Sequence, residues 1–261
     1  MKYKKTKELL IIIPTYNEEK HINQLLDQLE KPEIASIADI LVMDDGSTDG
    51  TNWIVKSRNH ALVTHIFNLG YGGALQLGYK YAIRRGYKYV IQMDADGQHD
   101  PCNVPLLYHY LKTEDENGHC PDIVLGSRFL KGGESFYLSP IKRFAIGLFR
   151  KVIKWATKKD ITDPTTGLQG LSKRAVLYYS RYLHFDNQYP DANMIMQMLL
   201  LGFRVEEVPA IMHARETGVS MHSGLKPIIY MLHMAYSLLA VWIRIKVLKK
   251  DLGAVNDILL S

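Results

Sequence analysis

Residues 89–99 read YVIQMDADGQH, a short β-prone apolar run that ends in the pair Asp94 and Asp96. Residues 40–51 read ILVMDDGSTDGT and repeat this order of an apolar run followed by acids. Each run predicts a strand, and open α/β sheets bind ligands at the carboxyl ends of their strands. Side chains two residues apart on an extended chain point to the same side, so Asp94 and Asp96 can share one hard divalent cation. A cation there calls for an anionic substrate, of which a diphosphate is the natural example.

Short apolar runs and helical patterns alternate along the first half of the chain. Strands are predicted at residues 9–13, 40–43, 61–67, 88–93 and 122–126, and helices at 19–30, 74–85 and 104–112. This alternation predicts an α/β fold with a mostly parallel sheet and helices on both faces. Beyond residue 128 the pattern is helical, apart from a return to β at 203–209.

The composition is that of a globular protein with one large core, since 47% of the 261 residues are hydrophobic and 23% are charged. Cys102 and Cys120 are too few for a disulfide framework and predict reduced thiols. The apolar run at 9–13 is too short for a signal peptide, so we expect a cytoplasmic amino terminus.

Two further loops follow predicted strands and suit a nucleotide. In PTYNE (residues 14–18), Pro14 ends the first strand and leaves Tyr16 and Asn17 able to stack on and hydrogen-bond a base. NLGYGGA (residues 68–74) is a glycine-rich loop whose amides and following helix suit a phosphate. It follows the third strand, which argues against a dinucleotide fingerprint, and it lacks the lysine of a P-loop. Each loop taken alone is also compatible with a plain turn or a helix cap.

The Asp-x-Asp segment has two rivals among known motifs. An EF-hand needs a liganding Glu at its twelfth position and does not follow a strand. Phosphatases that form an aspartyl-phosphate carry Asp-x-Asp after the first strand, whereas here it follows the fourth. The role of His99 is left open between a metal ligand, a phosphate contact and a structural histidine.

In order and spacing, the segments 14–18, 44–51, 68–72 and 94–101 resemble the family 2 inverting glycosyltransferases. The closer likeness is to the dolichyl- and polyprenyl-phosphate sugar synthases, the subgroup that includes dolichyl-phosphate mannosyltransferase. The segments 126–128, 163–167 and 202–209 continue the match, which spans roughly residues 8 to 220. The resemblance implies a GT-A fold, which is Rossmann-like with a mostly parallel sheet flanked by helices, here with carboxyl-terminal amphipathic and apolar helices.

The resemblance also implies a donor site for a nucleoside-diphosphate sugar, either a UDP- or a GDP-sugar. Asp94 and Asp96 would bind Mg²⁺ or Mn²⁺ bridging the diphosphate, and Gln98 would lie near the donor sugar. The residues expected to contact the donor nucleotide are Pro14, Tyr16, Glu18, Asp45, Gly72, Asp94 and Ala95.

On the acceptor side, relatives carry a carboxylate on a helix after the Thr-Gly loop, which is Thr166 and Gly167 in this chain, and Asp191 is the residue that fits. It would act as a general base or, if the acceptor is already a phosphate, orient sugar hydroxyls. The alternative is an acid favoured by the helix dipole. The residues expected to bind the acceptor phosphate are Arg128, Arg215 and Ser220. Leu168 and Gln169 depart from the family, because many relatives carry Phe-Arg there.

Two segments bear on a membrane partner. Residues 141–158 combine apolar residues at helical spacing (Ile141, Ala145, Leu148, Val152 and Trp155) with many lysines and arginines and no acid. This pattern predicts an interfacial amphipathic helix or a helix packed on the sheet with a basic solvated face. Residues 228–245 are apolar and near the lower length limit for crossing a bilayer. We expect this second helix to lie on the membrane or to pack in a homo-oligomer.

We therefore expect a catalytic domain at residues 1–223 and an apolar helix, membrane-associating or dimerising, at 224–261. The expected activity is metal-dependent, inverting transfer of a hexose or N-acetylhexosamine from a nucleoside-diphosphate sugar to a membrane acceptor, either polyprenyl phosphate or a polyprenyl-linked glycan. The alternatives are transfer to a soluble or cell-wall polysaccharide and a non-catalytic nucleotide-sugar-binding membrane module. We expect a peripheral or monotopic protein on the cytoplasmic side of the membrane, with no nucleic acid partner.

Overall fold

The computed structural model describes residues 6–133, 138–214, 226–251 and 253. Within them, seven strands form one sheet: β1 (Leu9–Thr15), β2 (Ala38–Asp44), β3 (Ala61–Thr64), β4 (Tyr89–Gln92), β5 (Ile123–Ser127), β6 (Gln169–Ser172) and β7 (Val205–Pro209). Their order across the sheet is β3-β2-β1-β4-β6-β5-β7. Neighbouring strands are parallel except at β6, which runs antiparallel to both β4 and β5. The predicted α/β fold with a mostly parallel sheet is confirmed.

Helices cover both faces of the sheet. They are α1 (Glu19–Leu29), α2 (Pro32–Ala35), α3 (Thr51–Ser57), α4 (Tyr71–Arg85), α5 (Asn103–Tyr110), α6 (Pro140–Thr157), α7 (Lys173–Ser180), α8 (Ala192–Leu200) and α9 (Lys226–Trp242). Alternate residues of β1 enter opposite cores: Leu10 and Ile12 pack in the core with α4, α6, α7, α8 and α9, and Ile11 packs in the core with α1, α3 and α5. A strand buried on both faces explains why β1 reads as a continuous apolar run.

The sequence pattern predicts helix from residue 128 to 202, and β6 contradicts it. Its sequence, QGLS, is four residues long and has no apolar run. These residues are extended because they pair with β4 on one side and β5 on the other. Both partners are distant in sequence, so no local pattern indicates the strand. A smaller difference is at Pro14, which lies inside β1 and pairs with Met43 instead of ending the strand.

Helix α6 buries a different face from the predicted stripe. The residues in contact with the core are Ala145, Phe149 and Ile153. Ile141, Leu148 and Trp155, which we expected on the same side as Ala145, are exposed. The helix therefore carries a second apolar face that points away from the core.

Helix α9 packs beside α6 and α8. Tyr230, Met234 and Leu238 are buried in the same core as Phe149. The rings of Trp155 and Trp242 lie with their centroids 5.6 Å apart, which joins the outer sides of α6 and α9. Among the described helices, none combines the length and apolar character needed to cross a membrane.

Candidate active site

The predicted donor residues gather at one edge of the sheet because β2, β1 and β4 are adjacent and parallel. Asp45 follows β2, Tyr16 follows β1, and Asp94 follows β4 by two residues. Asp94 and Asp96 are half-buried on either side of the buried Ala95. The described residues contain no cluster of three or more His, Cys, Asp or Glu side chains able to hold a metal by themselves. Two carboxylates nevertheless fit Mg²⁺ or Mn²⁺, because Mg²⁺ completes its shell with substrate phosphates and water.

Asp94 is held from three directions. The Tyr71 hydroxyl donates to Asp94 Oδ1 at 2.8 Å, and the Asp94 amide donates to His99 Nδ1 at 3.2 Å. The third contact is with the Thr-Gly loop, where a Cβ added to Gly167 would lie 2.6 Å from Asp94 Oδ2. Only glycine leaves room for the carboxylate in this position, which explains the Thr-Gly sequence in physical terms.

His99 is buried, and that burial lowers its pKa to about 4, so the ring is neutral near pH 7. Because Nδ1 accepts the Asp94 amide, the proton is assigned to Nε2, which lies 3.9 Å from Asp94 Oδ2. His99 thus supports the backbone of the Asp-x-Asp segment, whichever further role it has.

Asp45 anchors the glycine-rich loop. Its carboxylate accepts the amides of Leu69 at 2.9 Å and Gly70 at 2.8 Å, and it lies 2.6 Å from His65 Nδ1. Gly72 then packs against the segment before α8, since an added Cβ would lie 2.0 Å from the Asp186 carbonyl oxygen. Asp45 is buried in these contacts, and its direct contact with a nucleotide stays a prediction.

The loop after β1 is tied to the loop after β2. Asn17 has a left-handed backbone (φ 55°), and its side chain accepts the Thr48 amide at 2.8 Å. Pro14 is buried beneath this loop, Glu18 is half-buried and lies 2.7 Å from His21 Nδ1, and the Tyr16 ring is exposed. An exposed aromatic ring on a fixed loop is able to stack on a base.

Asp191 stands at the N-cap of α8, yet its side chain makes no capping hydrogen bond within the described residues. It accepts instead a 2.5 Å hydrogen bond from the Tyr230 hydroxyl of α9. Burial raises the pKa of Asp191 to about 7, with Asp163 and Asp94 adding to the rise and Tyr230 and Arg128 opposing it. The predicted catalytic role and the alternative of an acid favoured by the helix dipole both stay predictions, and the contact that holds the carboxylate comes from α9.

Tyr71 links this carboxylate to the donor side. Burial raises the pKa of Tyr71 well above its ordinary value, and the charges of Asp94 and Asp191 reinforce the effect. The segment with the predicted metal ligands and the predicted catalytic carboxylate therefore both lie near the Tyr71 hydroxyl.

Arg128, predicted to bind the acceptor phosphate, forms a forked ion pair with the buried Asp163. Nε and Nη2 each lie 2.7 Å from one oxygen of that carboxylate, and Nη2 also donates to Thr165 Oγ1 at 2.9 Å. Burial alone would lower the pKa of Arg128, but Asp163 raises it, so the guanidinium stays charged. A phosphate would have to bind beside Asp163 or replace it.

Gln98 lies at the other end of the donor segment. The Gln98 backbone N–H donates to Asp96 Oδ1 at 3.1 Å, and the Gln98 backbone carbonyl oxygen accepts a hydrogen bond from the His213 backbone N–H at 2.8 Å. A cleft of about 260 Å³ opens beside Asp96, between α1 and His213. Arg215 and Ser220, predicted to bind the acceptor phosphate, lie outside the described residues.

Sequence reasoning did not assign Tyr71, Asp163 or Tyr230 to the site. Tyr71 lies inside the glycine-rich motif and Asp163 inside the Thr-Gly motif, so both carried a signal of position but not of role. Tyr230 lies in a long apolar segment, where a tyrosine is indistinguishable from a core residue.

Comparison with known proteins decides the family. The sequence model described as glycosyl transferase family 2 matches residues 10–179. The chain belongs to glycosyl transferase family 2. It is 30% identical over 230 residues to an undecaprenyl-phosphate mannosyltransferase of Micrococcus luteus, covering 83% of this chain and 88% of that protein. It is likewise 30% identical over 230 residues to a polyprenol monophosphomannose synthase of Mycolicibacterium smegmatis, covering 84% and 82%.

A solved structure shares the fold of this family 2 glycosyltransferase. Glucosyl-3-phosphoglycerate synthase from Mycobacterium tuberculosis, in complex with Mn²⁺, UDP and phosphoglyceric acid, superposes with a TM-score of 0.63 at 17% identity. The superposition covers 90% of this chain and 77% of that one. The fold is therefore of the GT-A type, and the relatives support the polyprenyl-phosphate sugar synthase subgroup.

Proposed function

We propose that this glycosyltransferase moves a hexose, with inversion, from a nucleoside-diphosphate sugar to polyprenyl phosphate at a membrane surface. The observation that carries the proposal is the proximity of two carboxylates: the Tyr71 hydroxyl donates to Asp94, and the charge of Asp94 adds to the raised pKa of Asp191. One carboxylate serves a metal-bound diphosphate and the other serves the attacking group. The acceptor class is supported by the two relatives above, which are named for undecaprenyl phosphate and polyprenol.

The donor half binds the nucleoside diphosphate. When bound by Asp94 and Asp96, Mg²⁺ or Mn²⁺ would neutralise charge on the departing nucleoside diphosphate. The exposed Tyr16 ring stacks on the base. Helix α4 begins at Tyr71, beside Asp94, so the positive end of its dipole favours the diphosphate as well.

The acceptor half supplies the base. Inversion requires the attacking oxygen to approach opposite the leaving group, with any proton removed by a group on that side. A phosphate monoester loses its second proton with a pKa of about 6. Asp191, with a pKa of about 7, can accept that proton from the monoanionic acceptor, and toward the dianionic acceptor it orients sugar hydroxyls.

The outer sides of α6 and α9 form the membrane contact in this proposal. We call this surface the apolar face. Its members are Ile141, Phe144, Leu148 and Trp155 of α6 and Ile229, Leu232, Tyr236 and Leu239 of α9, all exposed. Lysines and arginines flank it on α6, including Lys142, Arg143 and Lys151. Apolar side chains bordered by cations fit the surface of an anionic bilayer, which is how a peripheral or monotopic protein of the cytoplasmic leaflet binds.

The test is transfer from radiolabelled donors. The purified full chain is incubated with undecaprenyl phosphate and GDP-mannose, UDP-glucose or UDP-N-acetylglucosamine, with Mn²⁺ or EDTA, and label is followed into the organic phase. We expect one donor to label the lipid in the presence of metal and Asp96→Asn to abolish the labelling. Label entering a water-soluble glycan instead would favour a polysaccharide acceptor. Nucleotide-sugar binding without turnover on either acceptor would favour the non-catalytic module.

A further inference from the structure

Helix α9 reaches the predicted catalytic carboxylate from the far end of the chain. The Tyr230 hydroxyl donates to Asp191 Oδ2 at 2.5 Å, across 39 residues of sequence. The Tyr230 ring is only 9% exposed. It packs edge-on against Phe149 and Tyr189, with centroids 6.2 Å and 5.5 Å away. The hydroxyl is therefore aimed by a ring that has little freedom to move.

A second contact from the same helix holds the same segment. The Asn193 side chain donates to Ser237 Oγ of α9 at 2.8 Å and to Asp186 Oδ2 at 2.8 Å. The side-chain oxygen Oδ1 of Asn193 accepts a hydrogen bond from the Asp191 backbone N–H at 2.9 Å. Tyr230 and Ser237 are seven residues apart, which is two helical turns, so they lie on one face of α9. Helix α9 thus holds both the side chain and the backbone of Asp191.

We propose that Tyr230 is a positioning residue for glycosyl transfer, fixing the orientation of the Asp191 carboxylate. The proposal rests on the function proposed above for Asp191. It makes α9 a part of the active site, although the same helix also contributes to the apolar face. The titratable and charged groups that act on Asp191 are Tyr230 of α9, Tyr71 of α4, Asp94 after β4, and the pair formed by Arg128 and Asp163.

A hydrogen bond to the ionised carboxylate favours that form, so its loss shifts the protonation of Asp191 in a known direction. In Tyr230→Phe, the acid limb of the kcat/KM profile moves to higher pH. We expect kcat at pH 7 to fall about tenfold, the effect of losing one hydrogen bond to a charged group. The Kd of the donor nucleotide does not change, because no donor contact is altered.

Tyr179→Phe is the matched control. Tyr179 is a buried tyrosine of α7 whose hydroxyl has no hydrogen-bond partner in the described part of the chain. Its removal tests the loss of a buried hydroxyl as such, and we expect wild-type kcat and an unchanged pH profile.

The deciding measurements are kcat and its pH profile, the nucleotide Kd, and the Asp191 pKa from carboxyl ¹³C shifts in the free protein. The last needs no turnover, and its resonance is assigned by comparison with Asp191→Asn. An unchanged kcat, pH profile and ¹³C titration in a folded Tyr230→Phe variant overturns the proposal. A loss of nucleotide affinity parallel to the loss of kcat also overturns it, because the role would then be structural. A shifted Asp191 pKa in a protein that transfers no sugar from any donor overturns the proposed function but supports the contact.

Discussion

The proposed donor half and the proposed acceptor half of this site are built in different ways. The donor half consists of short loops that follow β1, β2, β3 and β4, and each loop is a contiguous motif. The acceptor half joins Arg128 after β5, Asp163 before β6, Asp191 before α8 and Tyr230 within α9. The first half uses neighbouring strand ends, whereas the second uses side chains from distant segments that meet through packing.

The difference extends to charge. On the donor side, Asp45 is satisfied by loop amides and keeps a glycine-rich turn in place. On the acceptor side, burial raises the pKa of Asp191 to about 7, and the charges of Asp163 and Asp94 add to the rise. The loops of the donor half are therefore held in place by their own hydrogen bonds, whereas the acceptor half contains a carboxylate whose pKa is set by its surroundings. Substitutions in the two halves should therefore have separable effects.

The largest effect is expected at the metal-binding pair. Asp96→Asn should lower kcat by about 10³-fold or more, because a bound cation contributes several kcal/mol of charge stabilisation. The rise in Tm that nucleotide binding causes should no longer depend on Mn²⁺. A variant that still shows a metal-dependent shift with UDP or GDP would remove Asp96 from the metal site.

Asp191→Asn should lower kcat by about 10²- to 10⁴-fold, the contribution of a general base, while nucleotide affinity is retained. In the wild type, the acid limb of activity should have its midpoint near the pKa of about 7. A donor affinity that falls together with kcat would mean that the carboxylate belongs to the donor half.

The same substitution predicts a stability effect with a definite sign. The pKa of Asp191 in the folded protein lies above its ordinary value of 3.8, so ionisation destabilises the fold. The free energy of unfolding that the neutral Asp191 carboxyl contributes is fully present below about pH 4 and is lost as the pH rises through 7. One pKa unit corresponds to about 1.4 kcal/mol, so the full effect is a few kcal/mol. Asp191→Asn should therefore raise Tm relative to wild type at pH 8 and much less at pH 5.

Gly167→Ala tests the contact where the two halves meet. The new methyl group would lie 2.6 Å from Asp94 Oδ2 and must displace that carboxylate. We expect metal-dependent nucleotide affinity to fall about tenfold, the loss of roughly one charged hydrogen bond or its equivalent. Gly147→Ala is the control, since an added Cβ in α6 meets nothing within 4 Å. Equal affinity in both variants would show that Asp94 tolerates the displacement.

The smallest effect on chemistry is expected at the apolar face. Leu232→Glu should weaken sedimentation with phosphatidylglycerol vesicles by about tenfold, the scale of burying one leucine, and leave nucleotide binding intact. Trp53→Glu is the control, because Trp53 is an exposed residue of α3 on the opposite side of the sheet. A wild-type dimer in light scattering that Leu232→Glu converts to a monomer, with no vesicle binding by either, would assign the face to a second copy.

Local sequence predicted most of the sheet, and with it the position of the predicted donor motifs at the ends of the strands. Residues such as Ile11 and Ile12 are buried on both faces of a central strand, so they appear as an uninterrupted apolar run. Motifs that follow such runs must then share one edge of a parallel sheet. The sequence pattern did not predict the strand β6 or the face that α6 buries. Both depend on partners that are distant in sequence.

The sequence by itself therefore determined the fold class and the family, and it predicted Asp94 and Asp96 as the metal ligands. Only the tertiary structure decided that Arg128 is paired with Asp163, that Gly167 packs on Asp94, and that Tyr230 holds Asp191. A strand-end motif encodes its position through local hydrophobic pattern and turn chemistry. A contact between a helix at the carboxyl end and a loop 39 residues earlier depends on the packing of α6, α8 and α9, which no local pattern records.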